Sequence, residues 1–338
     1  MGQGRAQYWV PHCSLFGLYL DDLLKNLRSA GLGCQVAGVW VGAAGYADDL
    51  LLLAPTRETM SKMLSFCEDY ASEHNLMFST DIDPKKSKSK CIYICGKKGN
   101  ELPANLPDQL VLYGKNLPWV PSAVHLGHEI HQSGNMEHDC RIKRALFIDS
   151  SIEIRETFSF AHPNQVLSAV QKYSLHCYGA MLWNLSSTSA ASFCKAWNTC
   201  TKLTYKVPRS THTYIVENFL AAGFTPVMFQ LYARYVKFAK SLKSSASSEV
   251  SHLYNIVKNN VQSTTGSNLY RIQSATGLRP SSVSAALLRS KPLLVPVPEE
   301  DQWRLPLLEK YLMVRSDLEL QLENTDHIQL LIDGLCST

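Results

Sequence analysis

Residues 45–55 read GYADDLLLLAP, in which two adjacent aspartates, Asp48 and Asp49, precede a run of four leucines. The small residues before the pair and the apolar run after it predict a β-hairpin, with strands over 35–41 and 50–53 and both carboxylates at its tip. Carboxylate oxygens on a rigid turn suit a hard cation such as Mg²⁺ that also binds substrate phosphates. The alternative is an ordinary solvated Asp-Asp turn, and the flanking apolar residues favour metal binding over it.

Helices are predicted on both sides of this hairpin. Leucines at helical spacing indicate a helix over 14–30, on which Asp21 and Asp22 face solvent. A second helix begins after Thr56, a suitable N-cap residue. Its apolar face carries Met60, Met63, Leu64, Cys67, Tyr70 and Ala71.

The rest of the chain changes character at about Met136. Before this point, short strands are predicted over 76–79, 90–95, 110–113 and 123–130. After it, helical periodicity dominates to the end, interrupted by a Ser-rich loop over 241–251. The fold class is therefore α+β, with domains predicted over 1–133, 134–297 and an acidic helical tail over 298–338.

Charge is distributed unevenly along the 338 residues. The formal net charge is +4, but the residues from Glu299 onward contain nine acidic and three basic side chains. The remaining part is therefore basic and is the part expected to meet nucleic acid, if any does. No run of about 20 apolar residues is present, which argues against a membrane span and a membrane partner.

Ten cysteines are scattered along the sequence, and no signal peptide precedes them. This usage is typical of reduced thiols in an intracellular protein. The sequence therefore predicts a location in the nucleus or cytoplasm and argues against secretion.

Several motifs in chain order resemble those of the reverse transcriptases of non-long-terminal-repeat (LINE-type) retrotransposons. The stretch 45–55 is similar to the catalytic hairpin of that family, and 14–23 (SLFGLYLDDL) is similar to the helix after its Arg-Gln-Gly and Ser-Pro motif. The resemblance covers about residues 1–220. Later stretches resemble the family's palm lysine motif, primer-grip Leu-Gly turn and helical thumb, in that order: 86–90 (KSKSK), 125–128 (HLGH), 178–183 (YGAMLW) and 207–211 (VPRST).

The resemblance implies a partial reverse-transcriptase palm of antiparallel strands and helices, with the primer-grip hairpin, followed by an all-α thumb and a C-terminal helical region. It also implies RNA-directed DNA synthesis in the complete enzyme, a two-Mg²⁺ nucleotidyl transfer that uses deoxynucleoside triphosphates. The implied partners are an RNA template and a DNA primer, which form an RNA–DNA hybrid.

By position, the resemblance assigns metal binding and catalysis to Asp48, with Asp49 beside it. The resemblance implies that Lys86 or Lys88 is the general acid for the departing pyrophosphate, and we assign this role to Lys88. The six lysines between Lys85 and Lys98, with no acid among them, predict a basic surface even if they form only a solvated charge run. The implied nucleic-acid contacts are Tyr46, Lys85, Lys86, Lys88, Lys90, Leu126 and Gly127.

Two departures from the family pattern bear on activity. The family completes its metal site with an aspartate from an earlier strand, which would lie before Met1, as would the fingers that bind template and nucleotide. The chain alone is therefore expected to be inactive, and a non-catalytic protein that binds RNA or an RNA–DNA hybrid is the alternative.

Two further patterns have competing interpretations. Arg234, Lys237, Lys240 and Lys243 recur on one face of a predicted helix, which suits either phosphate contacts along a duplex or an ordinary solvated face. The second pattern is a series of three histidines separated by two residues each, with a fourth histidine and a cysteine nearby. It favours structural zinc only weakly, because side chains at this spacing lie on alternate faces of a strand. Its candidate ligands are His125, His128, His131, His138 and Cys140.

Overall fold

The computed structural model describes residues 12–81, 83, 85–94, 109–175, 177–221, 223–277 and 299–304. The chain divides into two compact units, one formed by 1–125 and 130–134 and the other by 126–129 and 135–338. Short antiparallel strand pairs occupy the first part of the described residues and helices the second, which confirms the α+β class.

The first unit begins with helix α1 (His12–Ser29) and contains a second long helix, α2 (Arg57–Glu73). The short strands between residues 35 and 131 pair with their neighbours in the chain, and two residues connect the strands of each pair. The pairs are β1 (Gln35–Val36) with β2 (Val39–Trp40), β3 (Ala43–Tyr46) with β4 (Asp49–Leu52), β5 (Val111–Leu112) with β6 (Lys115–Asn116), and β7 (Ser122–His125) with β8 (His128–His131).

Helices α1 and α2 form where their sequences predict them. The Thr56 hydroxyl caps α2 by accepting a hydrogen bond from the Thr59 N–H at 3.2 Å. The Tyr70 hydroxyl donates to the Tyr19 carbonyl and so ties the two helices together. Asp21 is exposed and pairs with Lys25, as expected for a solvent-facing side chain. The apolar faces of the two helices bury Leu20, Leu23, Leu27, Met63, Cys67 and Tyr70 together.

The second unit is helical throughout its described residues from Glu137 onward, apart from connecting turns. Aromatic side chains fill its centre: Phe147 lies 5.8 Å from Phe193, and Trp183 meets Phe193 edge-on at 5.2 Å, measured between ring centroids. Its α-helices are α3 (Glu137–Thr157), α4 (Pro163–Tyr173), α5 (Thr188–Thr204), α6 (Thr213–Ile215), α7 (Val227–Lys243), α8 (Ser248–Val257) and α9 (Thr264–Thr276).

The strand predictions are partly wrong. Residues 35–41 do not pair with 50–53, because they fold back on themselves as β1 and β2 while β3 pairs with β4. Residues 76–79 form no strand, and the described part of 90–95, which ends at 94, contributes only an isolated bridge from Cys91 to Trp119. The predicted strand over 123–130 is a hairpin, because two residues at its centre adopt positive φ and reverse the chain.

The loop predicted over 241–251 is shorter than expected. Helix α7 continues to Lys243, and the Ser247 hydroxyl caps α8 by accepting from the Val250 N–H at 3.4 Å. Serine therefore starts a helix here instead of extending a loop. Of the predicted acidic tail, only a short 3₁₀ helix, Glu299–Arg304, is described, and 305–338 lie outside the described residues.

Candidate nucleic-acid interface

The hairpin β3–β4 brings Tyr46, Asp48 and Asp49 together. Tyr46 pairs directly with Asp49 across the two strands, so the connecting turn consists of Ala47 and Asp48. Both aspartates are exposed, and 64% of the Tyr46 side chain is accessible. A hairpin with carboxylates at its tip is present, as the sequence predicts, but its first strand is β3 and not 35–41.

The turn of this hairpin differs from the other three. In β1–β2, β5–β6 and β7–β8, both turn residues have positive φ and the second is glycine, the geometry of a type I′ turn. In β3–β4 only Ala47 has positive φ, at 50°, and Asp48 stands where the other turns have glycine. Since Asp48 has no positive φ, this turn does not require glycine at its second position and accepts an aspartate there.

Packing behind the hairpin holds its tip in place. Leu50 and Leu52 of β4 pack on the core formed by α1 and α2. At the open end, the Leu53 N–H donates to the Gly42 carbonyl at 2.7 Å. A Cβ at Gly42 would lie 2.8 Å from the Gly33 Cα, so this close backbone approach requires glycine. The aspartates are thus exposed groups on a supported turn.

The two carboxylates have the donor chemistry that Mg²⁺ prefers, but they do not form a complete site. Among the described residues, no group of three His, Cys, Asp or Glu side chains is placed to hold a metal ion. Asp48 and Asp49 therefore supply part of a ligand set at most, and no catalytic step can be built on them alone.

The lysine segment forms a separate exposed turn in the same unit. The Lys85 N–H donates to the Asp83 carboxylate at 2.9 Å, and the buried Ser87 hydroxyl donates to the Ser89 carbonyl at 2.6 Å. Both bonds fix the backbone of the turn between residues 83 and 89. Four ammonium groups consequently point to solvent on one short stretch, at Lys85, Lys86, Lys88 and Lys90.

The remaining two predicted site residues, Leu126 and Gly127, form the turn of β7–β8 with φ values of 48° and 75°. They are grouped with the helical unit. The Tyr178 hydroxyl donates to the Leu126 carbonyl at 3.2 Å, which fixes the turn from the helical side.

A buried ionic network lies beside this turn, and the sequence analysis missed it. Asp139 is 2% exposed, and its Oδ1 accepts from the Glu129 N–H at 3.1 Å. Its Oδ2 accepts from the Trp183 indole at 2.8 Å and from the Lys143 ammonium at 3.0 Å. Lys143 also lies 3.3 Å from the His128 Nδ1. The four-residue spacing of Asp139 and Lys143 was the available signal, but such pairs usually lie at the surface.

The candidate zinc ligands have other roles. Cys140 is buried in the helical core, and burial raises the pKa of its thiol to about 12, which disfavours the thiolate that zinc needs. The His138 ring lies 4.0 Å from the Glu129 carboxylate, and the His131 Nδ1 lies 2.9 Å from the Ser133 hydroxyl.

One segment of the helical unit, 158–248, carries a strong excess of positive charge. Residues 158–248 contain nine Lys and Arg side chains and one acidic residue, Glu217. On α7, Lys237, Lys240 and Lys243 are exposed, whereas Arg234 is half-buried. The opposite face of the helix packs into the core, as its apolar spacing predicts.

Glu217, the one acidic residue of this segment, is partly buried. Burial raises the pKa of its carboxyl, and a hydrogen bond of 2.7 Å from the Asn198 amide opposes this shift. The folded state therefore binds the Glu217 proton more tightly than the unfolded chain does. Stability due to this group is largest at low pH and is lost as the pH rises through the raised pKa.

We therefore expect Glu217→Gln to raise the Tm at pH 8 by about 1–2 °C, since partial exposure screens the carboxylate. At pH 4 the two proteins should melt together, because a protonated carboxyl and an amide are both neutral. Glu153→Gln, at an exposed position of α3, is the control and should shift the Tm equally at both pH values. If Glu217→Gln has a lower Tm than the wild type at pH 8, the conclusion that burial disfavours the charged Glu217 carboxylate is wrong.

Comparisons with known proteins add no assignment to these observations. Within the described ranges, no helix has the length and apolar content needed to cross a bilayer. No protein-family model matches the chain, and no curated protein matches its sequence.

Proposed function

We propose that this chain is the palm and thumb part of a LINE-type reverse transcriptase, an RNA-directed DNA polymerase. The observation that carries the proposal is the β3–β4 hairpin, which presents Tyr46, Asp48 and Asp49 on an exposed turn backed by α1 and α2. The hairpin lies in the same order relative to its flanking helices and to the lysine segment as the motifs that resemble this family.

The second hairpin and the helical unit support the same proposal. A Leu-Gly turn is followed by helices whose segment 158–248 is almost free of acidic residues. Such a surface binds a phosphate backbone without reading its sequence, as a polymerase must. The chain's own residues would then bind and orient the primer strand of an RNA–DNA hybrid.

Catalysis would need a further metal-binding group besides those that the described residues supply. Asp48 and Asp49 would hold Mg²⁺ together with a further carboxylate, and the metal would stabilise charge on the primer hydroxyl and on the pyrophosphate. Lys88, exposed on its turn, would supply a proton to the leaving group. Deoxynucleoside triphosphates are substrates of the complete enzyme only.

A second function, non-catalytic binding of RNA or an RNA–DNA hybrid, is favoured by one observation. The described residues bring no third metal-binding side chain to the aspartate pair. Binding by phosphate contacts needs no such group, because lysines and arginines suffice.

The test is hybrid binding and primer extension by the full chain and by Asp48→Asn. We expect nanomolar to micromolar binding of an RNA–DNA hybrid, measured by fluorescence anisotropy, with no Mg²⁺-dependent extension. Asp48→Asn should bind as tightly or up to about threefold more tightly, because it removes a negative charge near phosphates. Asp21→Asn, at an exposed aspartate of α1, is the control.

Two outcomes would change the proposal. Failure of the wild-type chain to bind the hybrid would overturn both functions. Mg²⁺-dependent extension that disappears in Asp48→Asn would overturn the non-catalytic function and show that the chain completes its own metal site.

A further inference from the structure

Tyr178 presents an exposed aromatic ring behind the turn formed by Leu126 and Gly127. Tyr178 as a residue is 60% exposed, yet its hydroxyl is fixed by the bond of 3.2 Å to the Leu126 carbonyl. A Cβ at Gly127 would lie 3.1 Å from the ring Cε1, so the turn and the ring are in direct contact. The turn and the ring therefore form one continuous surface.

Neighbouring side chains support the ring from within the same unit. His128 stacks against it with ring centroids 5.0 Å apart and an angle of 8° between planes. The Lys143 ammonium lies 5.7 Å from the ring centroid, and the buried Asp139 holds that ammonium. The next residue, Gly179, has a φ of 73°, and a Cβ there would lie 1.7 Å from His128. Tyr178 thus remains largely exposed although His128 stacks against its ring.

We propose that Tyr178 stacks on a nucleobase of the primer strand. The Lys143–Asp139 pair and His128 hold the tyrosine ring in position. The inference rests on the proposed function, since it requires that the chain bind an RNA–DNA hybrid. An aromatic ring stacks on every base, so such a contact tolerates any primer sequence. The excess of lysine and arginine in the segment 158–248, which contains Tyr178, supplies the attraction for the backbone of the same strand.

Tyr173 provides a matched comparison in the same unit. Its side chain is 58% exposed, and the Lys172 ammonium lies 5.1 Å from its ring centroid. Among the described residues, Tyr173 differs from Tyr178 in two ways: its hydroxyl fixes no glycine turn, and no second ring stacks against its own. Exposure and a nearby lysine are thus shared, and only the support is different.

The test uses the full chain and a primer–template hybrid that carries 2-aminopurine at each of the last four primer positions in turn. Stacking on a ring quenches 2-aminopurine, and we expect wild type and Tyr178→Phe to quench it at one of these positions. Tyr178→Ala should lose the quenching and weaken binding about 5- to 100-fold. Tyr178→Phe should bind within about threefold of wild type, and Tyr173→Ala should bind like wild type.

The outcomes separate this inference from the proposed function. If wild type binds the hybrid and Tyr178→Ala binds and quenches equally well, the stacking assignment is overturned and the proposed function stands. If wild type binds no hybrid, both are overturned. Loss of affinity in Tyr173→Ala equal to that in Tyr178→Ala would also overturn the assignment, because it would indicate a general effect of exposed tyrosines.

Discussion

Asp139→Ala is expected to lower the free energy of unfolding of the helical unit by about 3–5 kcal/mol. The substitution removes the acceptor for three donors, namely the Lys143 ammonium, the Trp183 indole and the Glu129 N–H. The Lys143 side chain is only 13% exposed, so its charge would remain largely buried without its carboxylate. Thermal and denaturant unfolding followed by circular dichroism measures the loss.

A second substitution tests the cause of this loss. Asp139→Ala combined with Lys143→Met removes the buried ammonium as well and should be more stable than Asp139→Ala alone. Asp149→Ala, at an exposed position of the same helix, is the control and should change stability by less than about 0.5 kcal/mol. The buried-pair interpretation is wrong if Asp139→Ala behaves like this control, or if the double variant is no more stable than the single one.

The elements that the sequence predicts best are those in which local signals agree. In α2, the Thr56 cap and the apolar positions from Met63 to Ala71 indicate the same helix, and the structure buries those positions. The tip of β3–β4 was likewise predictable, because small residues, two aspartates and an apolar run occur in that order. In both cases the information lies within about 15 residues.

What the sequence could not show depends on distant residues or on turn geometry. The partner of β4 is four residues long and rich in alanine and glycine, so β propensity gave no reason to prefer it over 35–41. The burial of Asp139 depends on Trp183, which follows 44 residues later. The exposed Tyr178 gains its support from His128, which belongs to the β7–β8 hairpin far upstream in the chain. Such contacts are set by tertiary packing and leave no periodic pattern.

Replacing Lys85, Lys86, Lys88 and Lys90 together by glutamine is expected to weaken hybrid binding by on the order of 1,000-fold at about 0.1 M salt. All four side chains are exposed on one turn whose backbone is fixed by Asp83 and Ser87. Each phosphate that a lysine neutralises contributes about 0.9 to the slope of log K against log salt, so loss of four contacts lowers that slope by up to about 4.

The salt dependence distinguishes direct phosphate contact from an indirect effect on folding. The pair Lys86→Gln and Lys88→Gln should lower the slope by about 2, whereas the control pair Lys62→Gln and Lys115→Gln, also exposed in this unit, should leave it unchanged. A misfolded variant would lose affinity at every salt concentration, but its loss would not shrink as salt rises. Because counterion release vanishes near 1 M salt, the wild type and the quadruple variant should bind almost equally weakly there. A constant difference between them across the titration would show that these lysines do not contact phosphates.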